Sequence, residues 1–241
     1  MYIACLIGLM MLIPPSFKEI QLKNSRVKVA YDEKEEVVKK HFKDRNLKYK
    51  GFNLFVRAFK KEKKLEIWIK EKGRETYSLL HTYNFCSSSG TLGPKRKEGD
   101  LQIPEGIYYI NHFNPQSNFY LSLGINYPNA SDKVLSDPKH PGGLIYIHGN
   151  CVTVGCIPIT DDKIKELYVL AVEARNNGQT EIPVHIFPSK LNDKQLTELE
   201  EKYGTEHKDF WLSLRPIYNA FETSKKLPEI TVTGKGRYQL H

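Results

Sequence analysis

From residue 52 onward the order of apolar and polar positions changes period. Asn53-Leu54-Phe55-Val56-Arg57-Ala58-Phe59 and Lys64-Leu65-Glu66-Ile67-Trp68-Ile69-Lys70 both alternate, with a charged turn between them, and predict a β-hairpin. Thr76 to Asn84 supplies a third strand, and Gly106 to His112 and Phe119 to Leu123 two more. Leu144 to His148 is an apolar strand that ends on a polar residue, and Pro183 to Phe187 reads as the last core strand. Ahead of the hairpin, residues 17–50 are polar with helical spacing, clearest from Lys34 to Phe42. Behind it, Lys163 to Asn176 carries the apolar stripe of a helix, with Thr160-Asp161-Asp162 as a candidate N-cap. Helices around Lys194 to Tyr203 and Lys208 to Ser224 then precede a basic tail. Two loops stand out: the Gly/Pro/Lys-rich stretch Ser87 to Glu105, and Gly124 to Gly143, rich in Asn, Pro, Asp and Gly. A loop that long in a compact domain is usually functional or mobile. The pattern predicts a mainly β fold, α+β overall, with a β-rich domain over 53–188, a helical flank over 17–52 and a helical C-terminal extension over 189–241.

Residues 1–16 form a candidate signal or anchor segment. The apolar stretch is short for a bilayer span, and the basic segment that precedes the apolar core of a secretory signal is missing. A buried N-terminal strand or helix is the alternative; export, to the periplasm or cell envelope, is favoured. The chain has 241 residues, 40% hydrophobic and 27% charged, enough for a real core. A net charge of +8 suits an anionic partner. The lysines are spread along the chain, and the one dense run, Lys60-Lys61-Glu62-Lys63-Lys64, is expected to be a solvated face. No helix-turn-helix or stacking-aromatic pattern supports a nucleic-acid partner. The four cysteines, Cys5, Cys86, Cys151 and Cys156, are too few for a disulfide scaffold. Loss of Cys5 with a cleaved signal would leave an odd number, which favours one working thiol.

The segment 145–160 concentrates His148, Cys151, Thr153, Gly155 and Cys156. A thiol becomes a strong nucleophile when a neighbouring imidazole takes its proton. The end of a core strand gives such a base, His148, a rigid perch. Gly155 lets the backbone pass close to a substrate carbonyl, where main-chain N–H groups of Gly155 and Cys156 would receive an oxyanion. Two other readings stay open on the residues alone. Cys156 between Gly155 and Ile157 is what a buried structural cysteine looks like. His148, Cys151 and Cys156 are also soft metal ligands, although the spacing H-x2-C-x4-C fits no ordinary zinc pattern.

The stretch His148-Gly149-Asn150-Cys151-Val152-Thr153-Val154-Gly155-Cys156, preceded by Pro141-Gly142-Gly143, resembles the active-site region of L,D-transpeptidases of the YkuD family, nearest to their YafK-like branch. The resemblance extends to Ser89-Gly90-Thr91-Leu92-Gly93-Pro94-Lys95, Glu98-Gly99-Asp100, Pro104-Glu105-Gly106, Asn126-Tyr127-Pro128-Asn129-Ala130 and Asp209-Phe210-Trp211. It implies a sandwich or barrel-like β domain and a murein L,D-transpeptidase-like cysteine acyltransferase. Cys156 would be acylated by a peptidoglycan stem peptide, His148 would activate it, and the Gly149 carbonyl would be the histidine's backbone partner. Thr153, Tyr127 and Asn126 are candidate substrate contacts. The sequence departs from the family pattern in its short spacer after His148, in Val154 where a histidine is common, and in Pro158 where an arginine is frequent. The resemblance implies no metal or other cofactor. Partners would be stem peptides or a wall-linked protein, and the outcome transpeptidation or hydrolysis by an amidase. The rival from another class is a non-catalytic wall-binding domain of the same fold. Cys86 and Cys151 each flank a matching motif and are candidates to pair in an oxidising envelope, which would require Cα atoms within about 7 Å.

Overall fold

The computed structural model describes residues 14–241; Cys5 and nearly all of the candidate signal or anchor segment lie outside them. Helices α1 (Phe17–Leu22) and α2 (Ser25–Asp44) lead into the hairpin β1 (Phe52–Phe59) and β2 (Lys64–Glu71), followed by β3 (Ser78–Asn84), β4 (Gly106–Asn114) and β5 (Ser122–Ile125). Next come α3 (Ala130–Leu135), β6 (Tyr146–His148), β7 (Ile157–Pro158), α4 (Thr160–Asn176) and β8 (Ile182–Phe187). The C-terminal part adds α5 (Asp193–Tyr203), α6 (Lys208–Ser224) and a hairpin of β9 (Ile230–Val232) and β10 (Tyr238–Leu240). Eight strands form one curled half-barrel sheet in the order β3-β2-β1-β8-β4-β5-β6-β7, with helices on both faces, so the protein is α+β as expected.

The alternation along β1 sorts residues onto these two faces. Leu54, Val56 and Ala58 join the core beneath α2 and α4, with Ile182, Val184 and Ile186 of β8 beside them. Phe55, Arg57 and Phe59 turn the other way, where Phe221, Trp211 and Leu214 of α6 cover the sheet. Each fully buried large apolar side chain contributes roughly 1.5–3 kcal/mol. Because α6 lies on that face, the polar member of the alternation, Arg57, is buried and paired with Glu66 (2.7 Å) and Glu222 (2.6 Å).

Four expectations change. Lys60, expected on a solvated face, is buried; its ammonium group reaches Glu105, Gly93 O and Ile103 O because the loop 85–105 folds over it. The strand expected at Phe119 to Leu123 starts only at Ser122, since Tyr120 takes a left-handed conformation (φ 71°) that breaks the extended run. The loop from Gly124 to Gly143 contains α3, capped by Asn129 and Asp132. The basic tail contains the β9–β10 hairpin, anchored by Tyr238, whose buried hydroxyl accepts from Ile107 N–H and from Asn129 Nδ2.

Candidate active site

His148 ends β6 and Cys156 immediately precedes β7, its parallel neighbour, with Ile147 aligned to Ile157 and His148 to Pro158. Aligned residues of a parallel pair share a face, and residues two apart on one strand do as well. The His148 and Cys156 side chains are therefore on one face at the edge of the sheet.

His148 is 1% exposed. Its Nδ1 lies 2.5 Å from Gly149 O. A carbonyl oxygen can only accept, so Nδ1 carries the proton and Nε2 is left with its lone pair. Nε2 is buried and has no hydrogen-bond partner among the described residues. The Phe119 ring stacks on the imidazole at 4.5 Å between centroids, 29° from parallel, and shuts out water from that side. Burial pushes the imidazole below its ordinary pKa, against the smaller opposing effect of Gly149 O, so it is neutral near pH 7.

The Cys156 thiol is half-buried and donates to Leu144 O (3.7 Å), while the Tyr146 N–H donates to Sγ (3.4 Å). Burial pushes this thiol up; the Tyr146 N–H and the Lys95 ammonium group pull it down. The resting pair is thus thiol and neutral imidazole, with a donor and a cation already placed for a thiolate. Lys95 itself is buried and held by Asp100 at 2.6 Å.

The loop between the two residues is fastened at several points. Thr153 Oγ1 accepts from Cys156 N–H (2.9 Å) and donates to Cys156 O (2.8 Å). A substrate oxyanion would therefore have to displace the Thr153 hydroxyl or use the Gly155 amide. Gly155 has φ 118°, and a Cβ there would sit 3.0 Å from Gln102 O, so its bare backbone accommodates the loop 101–103. Cys151 is joined to Cys86 by a disulfide, with Cα atoms 5.4 Å apart. With Cys151 in that bond, the three soft ligands weighed as a metal set are not available together. Tyr127 donates to Pro141 O (2.9 Å), and burial raises its phenol to about 12. Asn126 Oδ1 accepts from Tyr109 N–H (2.8 Å). Sequence patterns missed Phe119, absorbed into an expected strand, and Asp161, taken only as part of an N-cap. The expected cap is not at Thr160: α4 already includes that residue, Ile159 holds the N-cap position and no side chain caps the helix, while Thr160 takes a left-handed φ of 73° and its hydroxyl faces Lys163 N–H at 3.5 Å.

The family model for the L,D-transpeptidase catalytic domain (YkuD) matches residues 55–186, which include His148 and Cys156. The chain belongs to this family. A protein of Escherichia coli (strain K12) named "Putative L,D-transpeptidase YafK" is 36% identical over 190 residues, covering 78% of this chain and 74% of that protein. Among solved structures, the helical cell shape determining protein Pgp2 from Campylobacter jejuni is 18% identical, with a TM-score of 0.46 and coverage of 76% of this chain and 73% of that one. Bd1075 from Bdellovibrio bacteriovorus is 20% identical, with a TM-score of 0.42 and coverage of 76% and 77%. Disulfides persist outside the reducing cytosol. The Cys86–Cys151 bond in an L,D-transpeptidase-family domain points to an extracytoplasmic location. No helix among the described residues is long and apolar enough to cross a membrane.

Proposed function

We propose that the protein is a periplasmic or cell-envelope enzyme that carries out cysteine-dependent acyl transfer on peptidoglycan stem peptides, with Cys156 as nucleophile and His148 as general base. The observation that carries this reading is the state of His148: Nδ1–H is committed to Gly149 O, and the buried Nε2 keeps a free lone pair on the face it shares with Cys156. Nε2 takes the Sγ proton as Sγ bonds to the carbonyl carbon of a stem-peptide amide. The C–N bond then breaks, and the imidazolium returns the proton to the departing amine. In the second half an amine or water attacks the thioester and gives its proton to Nε2; the C–S bond breaks, and Sγ recovers a proton from the imidazolium.

We assign the outcome to hydrolysis of a peptidoglycan-linked amide over cross-link formation. The short spacer is pinned by its disulfide and leaves Val152 and Val154 56% and 76% exposed, so that side of the cleft has little cover against water. The Thr153 hydroxyl and the Tyr127 phenol are engaged by the protein, and in this reading they support the site more than they bind substrate, while Asn126 Oδ1 is spent on Tyr109 N–H of β4. The test is mass spectrometry of products from purified muropeptides, with and without excess D-amino acid. Trimmed or released peptides are expected; mostly exchanged or cross-linked products would overturn hydrolysis, and unchanged muropeptides would overturn the enzyme reading.

A further inference from the structure

The peptide group between Gly149 and Asn150 is held at both ends. Its oxygen takes Nδ1–H of His148 at 2.5 Å, and its N–H donates to Asp161 Oδ1 at 2.7 Å. One planar amide thus links the imidazole to a carboxylate from the first turn of α4. The absence of a side chain at Gly149 permits the arrangement, since a Cβ there would lie 2.5 Å from Asp161 Oδ1 and 2.7 Å from Phe119 O. The requirement at Gly149 is therefore closeness to the carboxylate and not an unusual φ. The other acid of that turn is engaged elsewhere: Asp162 pairs with Lys34 and with Lys163. Asp161 forms no ion pair among the described residues, and Asn150 N–H is the donor that meets it.

We infer that Asp161 is a positioning residue for the proposed reaction, fixing the Gly149 carbonyl and stabilising the His148 imidazolium through the Gly149–Asn150 peptide. This rests on His148 acting as the base of Cys156. A carboxylate at the N–H end polarises the amide and makes its oxygen a stronger acceptor. When Nε2 takes the thiol proton, the imidazolium gains from the polarised carbonyl and from the negative charge beyond it. The effect resembles that of a carboxylate bonded directly to an imidazole, attenuated by the intervening peptide and by the solvent exposure of Asp161.

Asp161→Asn separates charge from geometry, because the side-chain amide oxygen still accepts from Asn150 N–H. The readout is the rate of Cys156 alkylation by iodoacetamide from pH 6 to 10 in the folded protein, for wild type, Asp161→Asn and His148→Ala. Asp161→Asn is expected to slow alkylation about three- to tenfold near pH 7, the size of a charge interaction across one peptide at a solvated edge. The difference should shrink in high salt and as pH rises toward 10, since ionisation of the thiol by hydroxide needs no proton transfer to His148. Titration of His148 by NMR should show a lower pKa in the variant. Wild-type rates at every pH for Asp161→Asn, with His148→Ala slow, would overturn the role of Asp161 alone. Equal slowing at every pH would overturn it too, as the mark of altered access to the thiol. Wild-type rates for His148→Ala would instead overturn the underlying assignment of the base.

Discussion

Two polar networks in this protein are built from similar parts and do opposite things. Around Lys60, the ammonium group meets Glu105 Oε1 (2.9 Å), Gly93 O (2.7 Å) and Ile103 O (2.7 Å), and Glu105 accepts from Gly93 N–H and Trp211 Nε1, both at 2.8 Å. All three ammonium protons and both carboxylate oxygens have partners. Around His148, Nδ1 has its partner and Nε2, equally buried, has none. Burying a polar atom without a partner costs about 1–3 kcal/mol. The saturated network ties the loop 85–105 and α6 to the sheet and offers nothing to a substrate. The unsaturated one keeps a basic lone pair in reserve. The proposed mechanism rests on this difference: one network has every bond made, and the other stops one bond short at a basic nitrogen.

The sharpest way to break that contrast is at the thiol. Cys156→Ala should abolish turnover of muropeptides while leaving the thermal midpoint near that of wild type, and His148→Ala should lower kcat by about 10²–10⁴. Turnover retained in pure Cys156→Ala protein would remove the mechanism. At the saturated network the order reverses. Glu105→Ala leaves a buried ammonium group and the Trp211 N–H unpaired, so unfolding by urea should show a loss of about 3–5 kcal/mol. Burial already pushes Lys60 below its ordinary pKa, against the pull of Glu105, and the loss of that carboxylate leaves only two carbonyls to hold the charge. A midpoint unchanged from wild type would show that the pairing contributes nothing.

The disulfide lies between the two networks. Its closing of a 65-residue separation predicts a loss of about 2–4 kcal/mol in the Cys86→Ser, Cys151→Ser double variant. Because Cys151 belongs to the loop joining His148 to Cys156, activity should fall further than stability alone explains, measured well below the unfolding midpoint.

A pH experiment tests burial itself. Desolvation, helped by the Arg57 guanidinium group, pushes His185 down to about 3, and burial lowers His148 as well. An unfolded histidine binds a proton below about pH 6.5. The unfolded state therefore takes up more protons than the folded one across roughly pH 6.5 to 3, and stability falls as pH drops through that window. His185 by itself should account for about 2–3 kcal/mol lost by pH 4.5. Chemical denaturation at pH 7.5 and 4.5 measures it, and His185→Phe should reduce the difference; an unchanged difference would put the acid sensitivity elsewhere.

The β-hairpin, most later strands and both C-terminal helices were legible in the sequence because period-2 and period-3.6 patterns are local. The pair His148 and Cys156 was legible for a related reason: both lie on one short strand-loop-strand segment. Lys60 was misread because a lysine run says nothing about which segment will fold over it. Phe119 was absorbed into a strand because its role depends on Tyr120 breaking the extended chain. The C-terminal hairpin escaped because its strands are three residues each, too short for a periodic signal.

The sequence by itself determined the α+β layout, the candidate nucleophile and base, and the bare backbone at Gly149 and Gly155. It did so because spacing within about ten residues survives whatever the rest of the chain does. Tertiary structure alone decided that Phe119 roofs the imidazole, that Cys86 meets Cys151, and that Asp161 reaches the peptide behind His148. It also decided that Glu105 sits under Trp211, 106 positions away. These features need segments distant in sequence to be brought together and solvent to be excluded between them. That exclusion gives one buried nitrogen without a partner its chemical meaning.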